Sequence, residues 1–135
     1  MAARFLLDTN ICICIRRRRP PAVLKRFRQL TPGEAVLSVI TYGELVYGAE
    51  KSQFREQARR QLAELAGLLP VVELPLRAGE FYGSFRATLA AEGAMIGNND
   101  LWIAAHAKAA GLILVTNNER EFRRVQGLEI QNWAD

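Results

Sequence analysis

Apolar residues in this chain gather into short continuous runs instead of alternating with polar ones. Arg4–Leu7 (RFLL), Ala35–Val39 (AVLSV) and Leu112–Val115 (LILV) stand out, with a weaker run at Val71–Leu74 that Pro75 closes. A strand solvated on one face alternates, whereas a strand covered on both faces stays apolar, so these runs predict strands of a parallel sheet. Helical spacing fills the intervals. Pro20–Leu30 opens on prolines, which suit a helix start, and repeats Val23, Leu24, Phe27 and Leu30. Thr41–Lys51 aligns Leu45, Val46 and Ala49; Phe54–Leu69 aligns Leu62, Leu65, Ala66 and Leu69; Arg77–Glu92 aligns Phe81, Phe85, Thr88 and Leu89. Asp100–Ala110 carries Leu101, Ile103, Ala104 and Ala107, with Asn98 or Asn99 as a candidate cap and Gly111 at the position of a left-handed stop. The segment Leu128–Trp133 is expected to add a short strand or to pack. Strands alternating with helices predict an α/β fold around a mostly parallel sheet of four or five strands, with helices on both faces.

Length and composition add bounds. The chain has 135 residues, half of them hydrophobic and 24% charged, enough for one domain with its own core. No apolar run approaches the ~18 residues that span a bilayer. The N-terminal stretch lacks the long apolar segment and cleavage site of a signal peptide. A cytoplasmic chain without membrane contact is therefore expected. Cys12 and Cys14 have no second cysteine cluster, so they read as reduced, mostly buried thiols and not as a zinc site.

The net charge of +4 is uneven. Arg16, Arg17, Arg18, Arg19, Lys25, Arg26 and Arg28 concentrate cations in one short stretch. Such a block suits a polyanion, or it is simply the solvated face of a helix.

Ligands of open parallel sheets bind outside the carboxyl ends of the strands. The first run is followed there by Asp8, Thr9 and Asn10. The second is followed by Thr41 and, one turn on, Glu44. The last is followed by Thr116, Asn117 and Asn118, then Glu119 and Glu121, while Asp100 opens a helix after Ile96-Gly97-Asn98-Asn99. All these acids are expected on one edge of the sheet. Each has a structural reading of its own: Asp8 as a turn or cap residue, Glu44 as a surface partner of lysine, Asp100 as a helix-dipole residue. Their convergence has another. Carboxylates held together repel, and hard oxygen ligands in a half-open cluster suit Mg²⁺ or Mn²⁺. Such a cation activates water and clamps a phosphoryl oxygen. His106 lies six residues past Asp100, turned from that helix face, and reads as a packing or surface histidine. Ser38 and Thr116 follow strands, but no triad is visible around Ser38. Neither GxGxxG nor GxxxxGK[ST] is present.

These same residues resemble a known family. Leu7-Asp8-Thr9-Asn10 resembles the opening of a PIN domain. Thr41-Tyr42-Gly43-Glu44-Leu45, continuing through Val46 to Ser52, resembles the second motif of VapC-type toxins. Ile96 to Ala107 resembles the third, and Val115-Thr116-Asn117-Asn118 with Arg120-Glu121-Phe122 resembles the fourth. The resemblance runs over nearly the whole chain, in order. It implies one PIN-like three-layer domain over residues 1–135 and a Mg²⁺-dependent endoribonuclease, with Mn²⁺ as a possible substitute. The wording YGAEKS and IGNNDLWIAAHA is similar to toxins that cut the anticodon stem-loop of initiator tRNA and so inhibit translation. The resemblance makes Asp8, Glu44, Asp100 and Glu121 the catalytic acids, with Asp8, Asp100 and Glu44 as metal ligands. Asn10, Thr116 and Asn118 would support them. Many relatives carry an acid where this chain has Asn118, so either Asn118 acts through water or Glu121 supplies the fourth carboxylate. Arg16, Arg17, Arg18 and Arg19 would grip the RNA backbone. Products would carry 5′-phosphate and 3′-hydroxyl ends. The resemblance also implies a homodimer, a VapB-type antitoxin and a larger complex of the two.

Two other readings fit parts of the pattern. A phosphatase or phospho-acceptor domain also places Asp after a first parallel strand, but position 10 is Asn and no lysine follows Thr116. A non-catalytic RNA- or DNA-binding module would use the basic block and leave the acids as caps, but no zinc-finger, helix-turn-helix or RNP signature accompanies it.

Overall fold

The structure, a computed structural model, describes residues 2–134. Its centre is explained by β1 (Phe5–Leu7), which is buried throughout and divides its side chains between two cores. Phe5 and Leu7 enter one core and Leu6 the other. A strand with a core on each side has no polar face to show, which is why its sequence is apolar throughout.

The chain continues through α1 (Thr9–Arg17), α2 (Pro21–Arg28), β2 (Ala35–Ser38), α3 (Val39–Glu50), α4 (Arg55–Leu68) and β3 (Val71–Val72). It then forms α5 (Ala78–Glu92), α6 (Asn98–Ala110), β4 (Ile113–Val115), α7 (Glu119–Phe122) and β5 (Ile130–Gln131). The sheet is five-stranded in the order β3-β2-β1-β4-β5, and every pairing is parallel. In register, Phe5 stands between Ala35 and Ile113. The expected α/β arrangement with helices on both faces is present.

One face packs Ile11, Cys12 and Ile15 of α1, Val23 of α2, Leu45 and Ala49 of α3, and Leu62 and Leu65 of α4. The other packs Leu89 of α5, Leu101, Ile103, Ala104 and Ala107 of α6, and Phe122 of α7. The Leu128–Trp133 segment both pairs and packs: it holds β5, and Trp133 meets the Phe5 ring edge-on at 5.3 Å. Cys12 is buried and Cys14 half-buried, and both are free thiols. Among the described residues, no helix is long and apolar enough to cross a membrane.

Several local expectations need correction. The second strand stops at Ser38, not Val39, because the Ser38 side chain accepts the Ile40 N–H and starts α3. Neither Asn98 nor Asn99 caps α6; Gly97 occupies that position, and the Asn98 side chain turns instead to Tyr82. Gly111 does close α6 in the left-handed conformation, φ 67°. Helices α1 and α7 were not among the expected helical stretches. Helix α1 begins inside Asp8-Thr9-Asn10, which also reads as a turn, and α7 has only four residues.

Candidate active site

Because all strands run parallel, their carboxyl ends share one edge, and the loops leaving that edge carry the acids. Asp8 directly follows β1. Its backbone N–H donates to the Val115 carbonyl (3.0 Å), tying it to the end of β4. Its carboxylate caps α1, accepting the Ile11 N–H at 2.9 Å. Thr116, wholly buried, also donates its hydroxyl to that carboxylate. The Thr116 Oγ1 is in turn held by the Asn118 N–H at 2.9 Å. Thus Thr116 orients Asp8, and the backbone of Asn118 orients Thr116.

Glu44 is half-buried on α3, and Thr9 donates its hydroxyl to Glu44 Oε1 at 2.6 Å. Thr9 therefore joins α1 to α3 beside Asp8. The sequence places Thr9 beside Asp8 after the first strand but gives no sign of its bond to Glu44. Asp100 is half-buried in the first turn of α6, with its Oδ2 close against Gly97, where a Cβ would lie 3.5 Å away. Glu121 is half-buried on α7.

The electrostatics show that these groups share one region. Burial pushes the Asp100 carboxyl up to about 6, and the charges of Asp8, Glu121 and Glu44 add to that rise. Burial also raises Asp8, with Glu44 contributing, against the lowering effect of the Thr116 and Ile11 hydrogen bonds. Among the described residues, none of these four acids forms an ion pair. Glu119 does not belong with them. It is engaged by Arg123 at 2.7 Å and Asn132 at 3.1 Å, which hold its carboxyl below the usual value. Asn10 is exposed on α1, and Asn118 is half-buried at the start of α7 without capping it through its side chain.

Among the described residues, no three His, Cys, Asp or Glu side chains are arranged to hold an ion as they stand. The donor chemistry nevertheless fits a hard divalent cation. The available donors are carboxylate oxygens, none of them is in an ion pair among the described residues, and such an ion needs only one or two carboxylates beside its waters.

The arginine block divides. Arg16 and Arg17 end α1 and line a cavity of about 520 Å³ with Thr9, Glu44 and Gly48, against the acidic edge. Arg18 turns the chain in the left-handed conformation, φ 58°, and faces a separate cleft with Lys25 and Arg28. The four arginines are all exposed, and helix α1 ends between Arg17 and Arg18.

Around Ser38 the structure forms a pair and no triad among the described residues. No partner for Ser38 was visible in the sequence, yet His106 Nδ1 lies 2.8 Å from its Oγ. Both side chains are inaccessible, at 0% and 1% exposure, so the pair has no route to substrate. Burial lowers the His106 imidazole below its ordinary value and keeps it neutral. It is a packing histidine with a specific partner.

Comparison with known proteins adds a family. The PIN domain family matches residues 5–128. The ribonuclease VapC2 of Haemophilus influenzae is 42% identical over 131 residues, covering 97% of this chain and 98% of that one. The tRNA(fMet)-specific endonuclease VapC of Shigella flexneri is also 42% identical over 131 residues, with the same coverage. The solved VapBC-1 complex of nontypeable Haemophilus influenzae contains a chain that superposes with TM-score 0.89 at 39% identity, covering all of both chains.

Proposed function

The chain belongs to the PIN-domain family, among its VapC ribonuclease toxins, and from that premise we propose a specific activity for it. The protein is a Mg²⁺-dependent endoribonuclease, served also by Mn²⁺, that hydrolyses initiator tRNA in the anticodon stem-loop and thereby stops translation. A VapB-type antitoxin silences it, and a homodimer of this chain assembles with that antitoxin into a larger complex. The observation that carries the catalytic part is the convergence of Asp8, Glu44, Asp100 and Glu121 with no cationic partner among the described residues. The tRNA part is supported by relatives of similar identity that are tRNA(fMet)-specific endonucleases. The antitoxin part is supported by VapBC complexes among the structural relatives. Exposed Tyr47, Phe54, Leu68 and Leu76 provide apolar surface for such contacts.

In this reading Asp8 and Asp100 would hold the cation, with Glu44 joining them directly or through water. A cation bound there would supply a polarised water for in-line attack and offset charge on the phosphoryl oxygens. The protein's own groups prepare the site. The Ile11 amide and Thr116 hydroxyl aim the Asp8 carboxylate inward. Thr9 turns Glu44 toward the same centre. Glu121 adds negative potential beside Asp100 and fills the fourth acidic position, while Asn118 acts through Thr116. Arg16 and Arg17 contact phosphates of the RNA along the cavity they line. No side-chain nucleophile is required, and the products carry 5′-phosphate and 3′-hydroxyl ends.

The test is incubation of the purified chain with total bacterial tRNA and Mg²⁺, beside EDTA, Asp8→Ala and Asp100→Ala controls, with fragment ends sequenced. Cuts confined to the anticodon stem-loop of initiator tRNA and lost in every control are expected. Binding of tRNA without cleavage at any divalent cation would instead favour a basic RNA-binding module.

A further inference from the structure

On the α6 side of the acidic edge, three polar groups meet on an aromatic stack. The Tyr82 ring lies on Trp102 with centroids 3.8 Å apart and planes 12° from parallel. The Tyr82 hydroxyl donates to Asn98 Oδ1 and accepts from Arg86 Nη1 at 2.7 Å. The Arg86 guanidinium also lies over the Tyr82 ring, 5.9 Å from its centroid. Asn98 is two residues from Asp100 on the same helix, and the adjoining Gly97 touches the Asp100 carboxylate region. Arg86 itself is exposed and makes no ion pair among the described residues.

An exposed arginine without an acidic partner is ordinarily mobile, because ordering its long side chain costs entropy. Here a stacked tyrosine fixes it, and that tyrosine is in turn fixed to the helix bearing Asp100. Only one of its donors is committed to Tyr82, which leaves the rest of the fork for an external anion. The location is complementary to that of Arg16 and Arg17. Helix α1 covers one face of the sheet and the α5–α6 pair covers the other, with the acids between them.

We propose that Arg86, held by Tyr82 on the Trp102 ring, is a phosphate-contact point for the RNA on the α5–α6 side of the acidic centre. The strand then crosses the acids with a cation on each flank: Arg16 and Arg17 before the sheet edge, Arg86 beyond it. Its contact is with a phosphate next to the scissile one, so it contributes to binding equally in ground and transition states and acts on KM more than on kcat. The inference rests on the ribonuclease reading above.

The experiment measures cleavage of initiator tRNA across a KCl series by the full chain and three variants. Arg86→Met removes the charge and keeps the stem. Tyr82→Phe keeps the stack and removes the anchor. Arg77→Met removes a charge from the same region that is paired with Glu80, and so controls for net charge. Expected for Arg86→Met are a KM raised roughly threefold or more, kcat nearly unchanged, and a log–log salt slope reduced by about 0.7–0.9. Tyr82→Phe raises KM in the same direction by less and leaves the salt slope in place. Melting curves of all three should match the parent. If Arg86→Met matches Arg77→Met in KM and salt slope while the parent chain cleaves tRNA, this inference falls and the ribonuclease reading stands. If the parent chain neither binds nor cuts tRNA, both fall.

Discussion

Ser38 Oγ and His106 Nδ1, 68 positions apart in the chain, form a 2.8 Å hydrogen bond sealed between β2 and α6. Ser38 stands six residues before Glu44 and His106 six residues after Asp100. The bond thus ties α6, which presents Asp100, to the N-cap of α3, the helix that presents Glu44, out of reach of solvent.

Removing one partner of that bond leaves a buried polar nitrogen unsatisfied. Ser38→Ala is expected to cost about 1–3 kcal/mol, a fall of roughly 3–10 °C in melting temperature. Thermal unfolding followed by circular dichroism checks this, and an unchanged midpoint would mean that another group satisfies His106.

Asp100 gives a pH signature. Its folded carboxyl sits at about 6, above the ordinary value, chiefly through burial. The folded state therefore binds this proton more tightly than the unfolded chain does. The associated stability is fully present below the unfolded carboxyl value near ~3.9 and is lost as pH rises through about 6. Metal-free Asp100→Asn should consequently melt higher than the parent at pH 7.5 and lose that advantage by pH 4. Comparing the two chains pH by pH cancels His106, whose lowered value has the opposite effect on falling pH.

Added Mn²⁺ should produce a larger melting shift at pH 7.5 than at pH 5, because the cation competes with the proton for the same carboxylates. Asp8→Asn should abolish most of that shift. Equal shifts at both pH values in the parent chain would place the ion elsewhere.

Strands and their terminal acids were legible because burial on both faces leaves continuous apolar runs, and a parallel sheet gathers whatever follows them. The segment 5–7 and Asp8 illustrate this. Helix α1 was hidden, since Asp8-Thr9-Asn10 serves equally as a turn or as a cap, and its last turn is arginine. Local spacing says nothing about partners distant in sequence, so the Thr9–Glu44 and Ser38–His106 bonds were not foreseeable. The arginine run looked uniform because one dimension does not show that a helix ends after Arg17.

Thr9→Val keeps the shape of the side chain and removes its hydrogen bond to Glu44. Loss of a bond to a charged group, about 1.5–3 kcal/mol, predicts a cleavage rate lower by roughly 10- to 100-fold with little change in KM. A matching loss in Thr9→Ser, which keeps the hydroxyl, would contradict the assignment.

The divided arginines can be tested in pairs. Neutralising Arg16 and Arg17 together should reduce the salt slope of tRNA binding by roughly 1.5–2, and neutralising Arg18 and Arg19 by clearly less. Equal effects would mean that both pairs meet the RNA.

The tie between the Asp8 amide and the Val115 carbonyl, with Thr116 clasping the Asp8 side chain, sets a timetable for biosynthesis. Residue 8 meets Val115 and Thr116 only after more than a hundred further residues have left the ribosomal exit tunnel. Parallel pairing between distant segments is slow to close and cannot begin before both are present. A nascent chain therefore lacks the Thr116 clasp on Asp8, and with it the assembled acidic centre, until the Val115–Thr116 segment has emerged.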